Sequence, residues 1–345
     1  MAPSEHLQTI AIAGTTGKNE ISSVSRQPRF DEGTAKKTTY FQLYLAFVLS
    51  FFWFWAGGLR TEQIGHDFPL YVDQVTKYYS PSDVRFPDLV FHSIATVLTM
   101  VVDTFGFDKA LAVRVFFLTV AFLQAILLFI ILRSKRPAEM FLIAIGFCPL
   151  IFLDIIRQGL AMLLAGAFFV DRGRKKAGLL LLAAATHVSS IVSIGAFDLR
   201  KVTPATVVGV VGLILILGWF LIDALTARYV WYSYHEGYLQ FEDMPDFSTM
   251  QLSYFNVIVL LFFVGSIIAG FLPRQEGSIL ILLYILGVAL PLFFRTYLFY
   301  LFVVTCSRDV FVRKWSVGSV LFNIGYAILV LRMAPLAFVE TIPIE

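Results

Sequence analysis

Apolar residues run through this chain in long blocks, separated by short clusters of Arg, Lys and Asp, with no segments that alternate in-out as barrel strands do. The blocks predict helices over about 40–57, 110–132, 138–154, 156–171, 203–223, 251–272, 277–291, 294–307 and 315–333. Two further stretches are ambiguous: 89–104, which holds His92 and ends near Asp103, and 177–198, which holds Thr186, His187, Ser189 and Ser190 at its centre. The expected architecture is an all-α polytopic membrane protein of about 9–11 transmembrane helices, some of them re-entrant or half-spanning.

Charge decides how the ambiguous stretches are treated, because Lys and Arg in short loops stay on the cytosolic side. If both cross fully, the runs RSKR (133–136) and RGRKK (172–176) fall outside. If both enter and leave on one face, these runs join LRK (199–201), Arg274 and the group Arg308, Arg313, Lys314 in the cytosol. The loops 58–88 and 225–250 then face outward together. Length argues for a full crossing at 177–198, yet the polar centre of that segment offers groups for a broken backbone lining a cavity. The charges are given the greater weight.

Composition agrees with the blocks: 58% of the 345 residues are hydrophobic, 16% aromatic and 15% charged, and the mean hydropathy is +0.78. These values exclude an ordinary water-soluble domain. Residues 1–39 are polar and lack an early apolar core, so they read as a disordered cytosolic tail rather than a cleaved signal. Residues 40–335 form the membrane domain, and 336–345 a short tail. Cys148 and Cys306 both lie in apolar runs, which suggests neither a disulfide nor a cysteine metal site. The net charge of +3 reflects cytosolic loops rather than a nucleic-acid surface.

The stretch LDIIRQGLAM at 153–162 sets Arg157 and Gln158 into apolar surroundings. An arginine at that position costs several kcal/mol unless it snorkels to the surface or faces a polar cavity. Snorkelling to lipid phosphate is the plain alternative. In the one-face topology, however, Arg157, Arg60 at the end of the first helix, Arg295 at the start of a late helix and His187 all approach the outer side. The outer loops add Glu62, His66, Asp67 and Tyr71, and then Arg228, Tyr229, Trp231, Tyr232, Tyr234, His235 and Glu236. Single aromatics there suit an interfacial belt. So many beside carboxylates also suit sugar rings, with their apolar C–H faces and rim of hydroxyls.

Four short patterns occur in order: Gly65-x-Asp67-x-x-x-Tyr71, Arg157-Gln158-x-x-Ala161, His187-x-Ser189 and Arg295-x-Tyr297-x-x-Tyr300. Together, over about residues 40–310, they resemble the EpsG-like and Wzy-type polysaccharide polymerases. The resemblance implies a GT-C-like glycosyltransferase of the bacterial inner membrane with its site at the periplasmic face. Its donor and acceptor would be oligosaccharide repeat units on undecaprenyl diphosphate, for O-antigen or exopolysaccharide. Membrane lipids and a chain-length regulator protein would be its other partners. The chain departs from that pattern in FPDLVF after the first loop and in its C-terminal residues, which bears on substrate choice.

On that reading a hydroxyl of one repeat unit attacks the anomeric carbon of another, and undecaprenyl diphosphate leaves. Arg157, Arg60 and Arg295 would grip the diphosphate, since guanidinium groups stay charged and pair with phosphate oxygens. His187 would be the base, with Asp67 as the alternative. Gln158 and Ser190 would orient the clamp or the sugars, and Tyr71, Tyr232, His235, Tyr297 and Tyr300 would bind substrate. No cofactor or metal is expected. A flippase for the same lipids, an O-antigen ligase and a His187-dependent acyltransferase are the competing readings; the first predicts alternating access, and the last leaves the arginines without a task.

Overall fold

A computed structural model describes residues 39–59, 72, 89–106, 108–170, 177–196, 254–289, 291–312 and 316–335. Ten α-helices lie among them: α1 (Tyr40–Gly58), α2 (Leu89–Phe105), α3 (Lys109–Leu132), α4 (Pro137–Gly146), α5 (Ile156–Val170), α6 (Ala177–Thr186), α7 (Tyr254–Ile268), α8 (Arg274–Ala289), α9 (Pro291–Ser307) and α10 (Val317–Leu331). A π-helical turn at Leu150–Asp154 precedes α5, and a 3-10 segment at Val188–Ala196 follows α6. No strand occurs among the described residues. The expected span at 203–223, the outer loops 58–88 and 225–250 beyond Leu59 and Val72, and both tails lie outside these residues.

Helix starts follow local chemistry. Thr39 accepts from the Gln42 N–H while the Gln42 side chain accepts from the Thr39 N–H, a reciprocal cap for α1. Asp108 caps α3 through the Ala110 N–H, and Gly106, at φ +66°, makes the turn from α2 that a side chain would resist. Pro137 opens α4 where its missing N–H costs nothing.

α1 and α3 are long and apolar enough to cross a bilayer, and α2, α4, α5, α7, α9 and α10 are shorter apolar helices. Phe41, Phe52, Phe122, Leu261 and Leu321 stay exposed on their outward faces. Such surface is unfavourable in water and neutral in lipid. The chain is a helical membrane protein.

The core is organised by α9, whose residues Tyr297 to Val304 are all buried. It packs against α5, α8 and the 3-10 segment, while α3 carries α1, α2 and α5. Small residues let backbones approach. A side-chain carbon on Gly146 would lie 2.5 Å from Val330 of α10, and one on Gly166 would lie 2.9 Å from both Ile131 of α3 and Phe302 of α9.

One end of α9 is closed by charge. Lys135, 4% exposed, donates to the carbonyls of Thr305 at 2.9 Å and Arg308 at 2.5 Å. These are among the carbonyls that a helix end leaves unpaired. Glu139 accepts from the N–H groups of Val310 and Arg136, Arg136 pairs with Asp309 at 2.6 Å, and Arg308 pairs with Glu276 at the start of α8. RSKR, Arg308 and the start of α8 thus meet at one end of α9. Lys135→Met removes a charged donor from two carbonyls, so we expect a loss of about 1.5–3 kcal/mol. Thermal unfolding in detergent measures it, and an unchanged midpoint would show that these carbonyls do not need the lysine.

Candidate functional site

The apolar run 138–154 stays helical through α4 and a π turn and ends at Ile155, at the expected boundary with 156–171. α4 ends at Gly146 and the chain passes through the π turn before α5 begins. The break is sharp at Ile155, whose N–H donates to Leu150 O and whose carbonyl accepts from Gly159. Gly159 is required there, because a side-chain carbon would lie 2.6 Å from the carbonyl oxygen of Ile151. A helix broken within a membrane frees backbone carbonyls that need donors. Gln124 of α3 supplies them: its amide donates to Ile151 O at 3.2 Å and to Ile156 O at 3.1 Å.

That bond also fixes depth. At 1.5 Å per residue, Gln124 lies about 12 Å from Leu132 and about 22 Å from Lys109 along α3. The first turn of α5, with Arg157 half-buried on it, therefore sits beside the middle of α3.

Gln158, 2% exposed, joins this turn to the next helix start by donating to the backbone carbonyl of Arg295 at 2.5 Å. Lower down, Gly166 of α5 meets Phe302 and Cys306 of α9. The two helices therefore run parallel, and their N-terminal turns carry Arg157 and Arg295 at one level. The Arg295 side chain is exposed. Along α9 this level is about 20 Å from the Lys135 cluster at the opposite end. Helix N-termini present unpaired N–H groups and a partial positive charge, so both turns and both guanidinium groups favour an anion.

α6 gives way to 3-10 geometry at His187, as the polar centre of 177–198 suggests. Thr186 bonds back to Leu182 O at 2.6 Å, and the His187 Nδ1 accepts from the Ser189 N–H at 3.2 Å. The ring thus caps the new segment. While that bond holds, the neutral imidazole carries its proton on Nε2. Ser190 and Ser193 are buried on this segment, which packs along α9 and also touches α5 and α8.

The structure therefore brings the elements bearing Arg157, Gln158, His187, Ser190, Arg295, Tyr297 and Tyr300 into one packed unit. Tyr297 and Tyr300 are fully buried in it. Arg60, Asp67, Tyr71, Tyr232 and His235 lie outside the described residues. Three polar residues at this level escaped the sequence reading of the site: Gln124, a single amide within an apolar helix; Asp154, buried three residues before Arg157; and Ser193, one 3-10 turn after Ser190.

A family model described as EpsG family matches residues 43–333, nearly the whole chain. The chain belongs to that family. No curated protein and no solved structure matches it. EpsG membership fits a helical membrane protein with polysaccharide-polymerase-like function, as the four short patterns imply. Three of those patterns fall on the α5 start, the α6 end and the α9 start, the same places where this EpsG chain breaks or begins its short helices.

Proposed function

We propose that this EpsG-family protein polymerises oligosaccharide repeat units carried on undecaprenyl diphosphate, at the periplasmic face of a bacterial inner membrane, with its N-terminus in the cytosol. The observation that carries the reading is the Gln158 bond to the Arg295 carbonyl. It couples two helix starts, and two cations, at one depth. Arg157 and Arg295 bind the diphosphate of the donor, with Arg60 as the third member of the clamp. Negative charge grows on the leaving diphosphate as the anomeric C–O bond breaks, so these groups act where stabilisation accelerates the reaction.

The acceptor hydroxyl attacks the anomeric carbon and loses its proton to His187. The Ser189 bond occupies Nδ1 in the resting fold; an acceptor hydroxyl that displaces this long bond presents its proton to the same nitrogen. Asp67 takes the role if the ring stays locked. Tyr71, Tyr232 and His235 hold the acceptor. A chain-length regulator and the surrounding lipids are the remaining partners.

Purified protein in lipid vesicles, given the lipid-linked repeat unit with EDTA present, is expected to produce a ladder of polymers and one undecaprenyl diphosphate per bond formed. Transfer of a single unit without a ladder would indicate a ligase. Movement of intact donor across the bilayer without bond formation would indicate a flippase.

A further inference from the structure

Four buried side-chain oxygens or hydroxyls in the unit around α9 have no hydrogen-bond partner among the described residues: Gln158 Oε1, Ser190 Oγ, Ser193 Oγ and Tyr297 OH. Each belongs to a residue no more than 2% exposed. Buried polar groups are nearly always paired, so four on mutually packed elements require an account. Serines in helical segments usually bond back to their own backbone, as Ser266 does with Phe262 O in α7. Ser190 and Ser193 do not.

Their placement is ordered. At three residues per turn, Ser190 and Ser193 fall on one face of the 3-10 segment. That segment fills the space between α5 and α8 along α9. Gln158 lies on the first turn of α5, a helix that touches the same 3-10 segment, where its Nε2 is held by Arg295 O and its Oε1 is left over. Tyr297 adds a hydroxyl from α9, and its ring packs against Tyr284 at 5.2 Å and Phe294 at 5.9 Å. The Tyr284 hydroxyl is satisfied by Asn256 at 2.8 Å, so Tyr297 is the member of this aromatic group whose hydroxyl remains available.

The four groups are uncharged. Three can both donate and accept, and one only accepts. A ligand that matches them presents several hydroxyls over an apolar ring face, without a formal charge. Gln158 adjoins Arg157 in the chain and bonds the main chain of Arg295, so a ligand held by its Oε1 would adjoin both arginine-bearing turns.

We infer that Gln158, Ser190, Ser193 and Tyr297 form a subsite for the neutral sugar ring attached directly to the donor diphosphate, an assignment that rests on the polymerase reading above. It fixes the ring whose anomeric carbon reacts, and so selects which lipid-linked sugar is used.

The test separates sugar from anion by binding alone. Farnesyl diphosphate and farnesyl diphosphate bearing glucose, galactose or N-acetylglucosamine, tested in turn, are titrated into full-length protein in nanodiscs. At least one sugar is expected to tighten binding to the unaltered protein. Tyr297→Phe and Ser193→Ala should each weaken that sugar-bearing ligand about five- to tenfold, as loss of one hydrogen bond implies, and leave farnesyl diphosphate unchanged. Neither variant removes an internal hydrogen bond, so unfolding temperatures should match the parent. If the sugar advantage persists in both variants, or no sugar gives one, the groups hold water only and the subsite is wrong. An equal loss for both ligands would mean a general distortion and would overturn it too. If farnesyl diphosphate itself fails to bind the parent, the anion site falls and the subsite with it.

Discussion

Arg157→Lys protein is expected to insert and fold as the parent does, yet to form polymer at least about a hundredfold more slowly, the usual cost of losing one donor aimed at transition-state charge. Lysine keeps the positive charge but offers a point where guanidinium offers a planar fork. Arg157 projects from a turn whose position is set by Gln124 and Gln158, so a shorter-range donor cannot be compensated by moving the backbone. Arg295→Lys should fall in the same range. The double variant should be little worse than either single one, because groups acting on one anion are not additive. Initial rates from gel ladders at matched protein levels measure this. Near-normal rates and chain lengths in Arg157→Lys would remove the arginine from the reaction.

His187→Gln carries the second large expectation. A positioned general base contributes about a hundred- to ten-thousandfold, and glutamine cannot take up the proton. Its side-chain oxygen stands nearer the Nε2 position than the Nδ1 that accepts from the Ser189 N–H, so the unfolding temperature is measured beside turnover to check the cap on the 3-10 segment. Loss of turnover with an unchanged unfolding temperature would therefore report proton transfer and not local unravelling. An active His187→Gln protein would hand the role to Asp67, and Asp67→Asn should then be the inactive variant.

The helices themselves were legible because apolar blocks of about the right length leave few alternatives for a chain in lipid. The boundary between 138–154 and 156–171 was legible too, since the chain breaks at Ile155; what holds that break together was not. What permits it is a single amide on another helix: Gln124 meets carbonyls 27 and 32 residues away. Pattern along one segment carries no information about donors arriving from elsewhere. The break at His187 was easier to anticipate, because the groups that satisfy it, Thr186, His187 and Ser189, lie within the segment itself.

RSKR, Arg308 and the start of α8 meet at one end of α9, yet Lys135 is buried there as a helix cap rather than solvated. In the same way Arg157 and Arg295 come to one level, as their positions at helix starts suggest, while that level lies beside the middle of α3.

The most direct measurement is a cryo-electron microscopy structure of the protein in nanodiscs with undecaprenyl diphosphate bound. The account predicts diphosphate density between the Arg157 and Arg295 side chains, at the level of the α5 and α9 N-terminal turns. Diphosphate density at the Lys135–Arg308 end, or arginine side chains directed into lipid away from the bound anion, would contradict it.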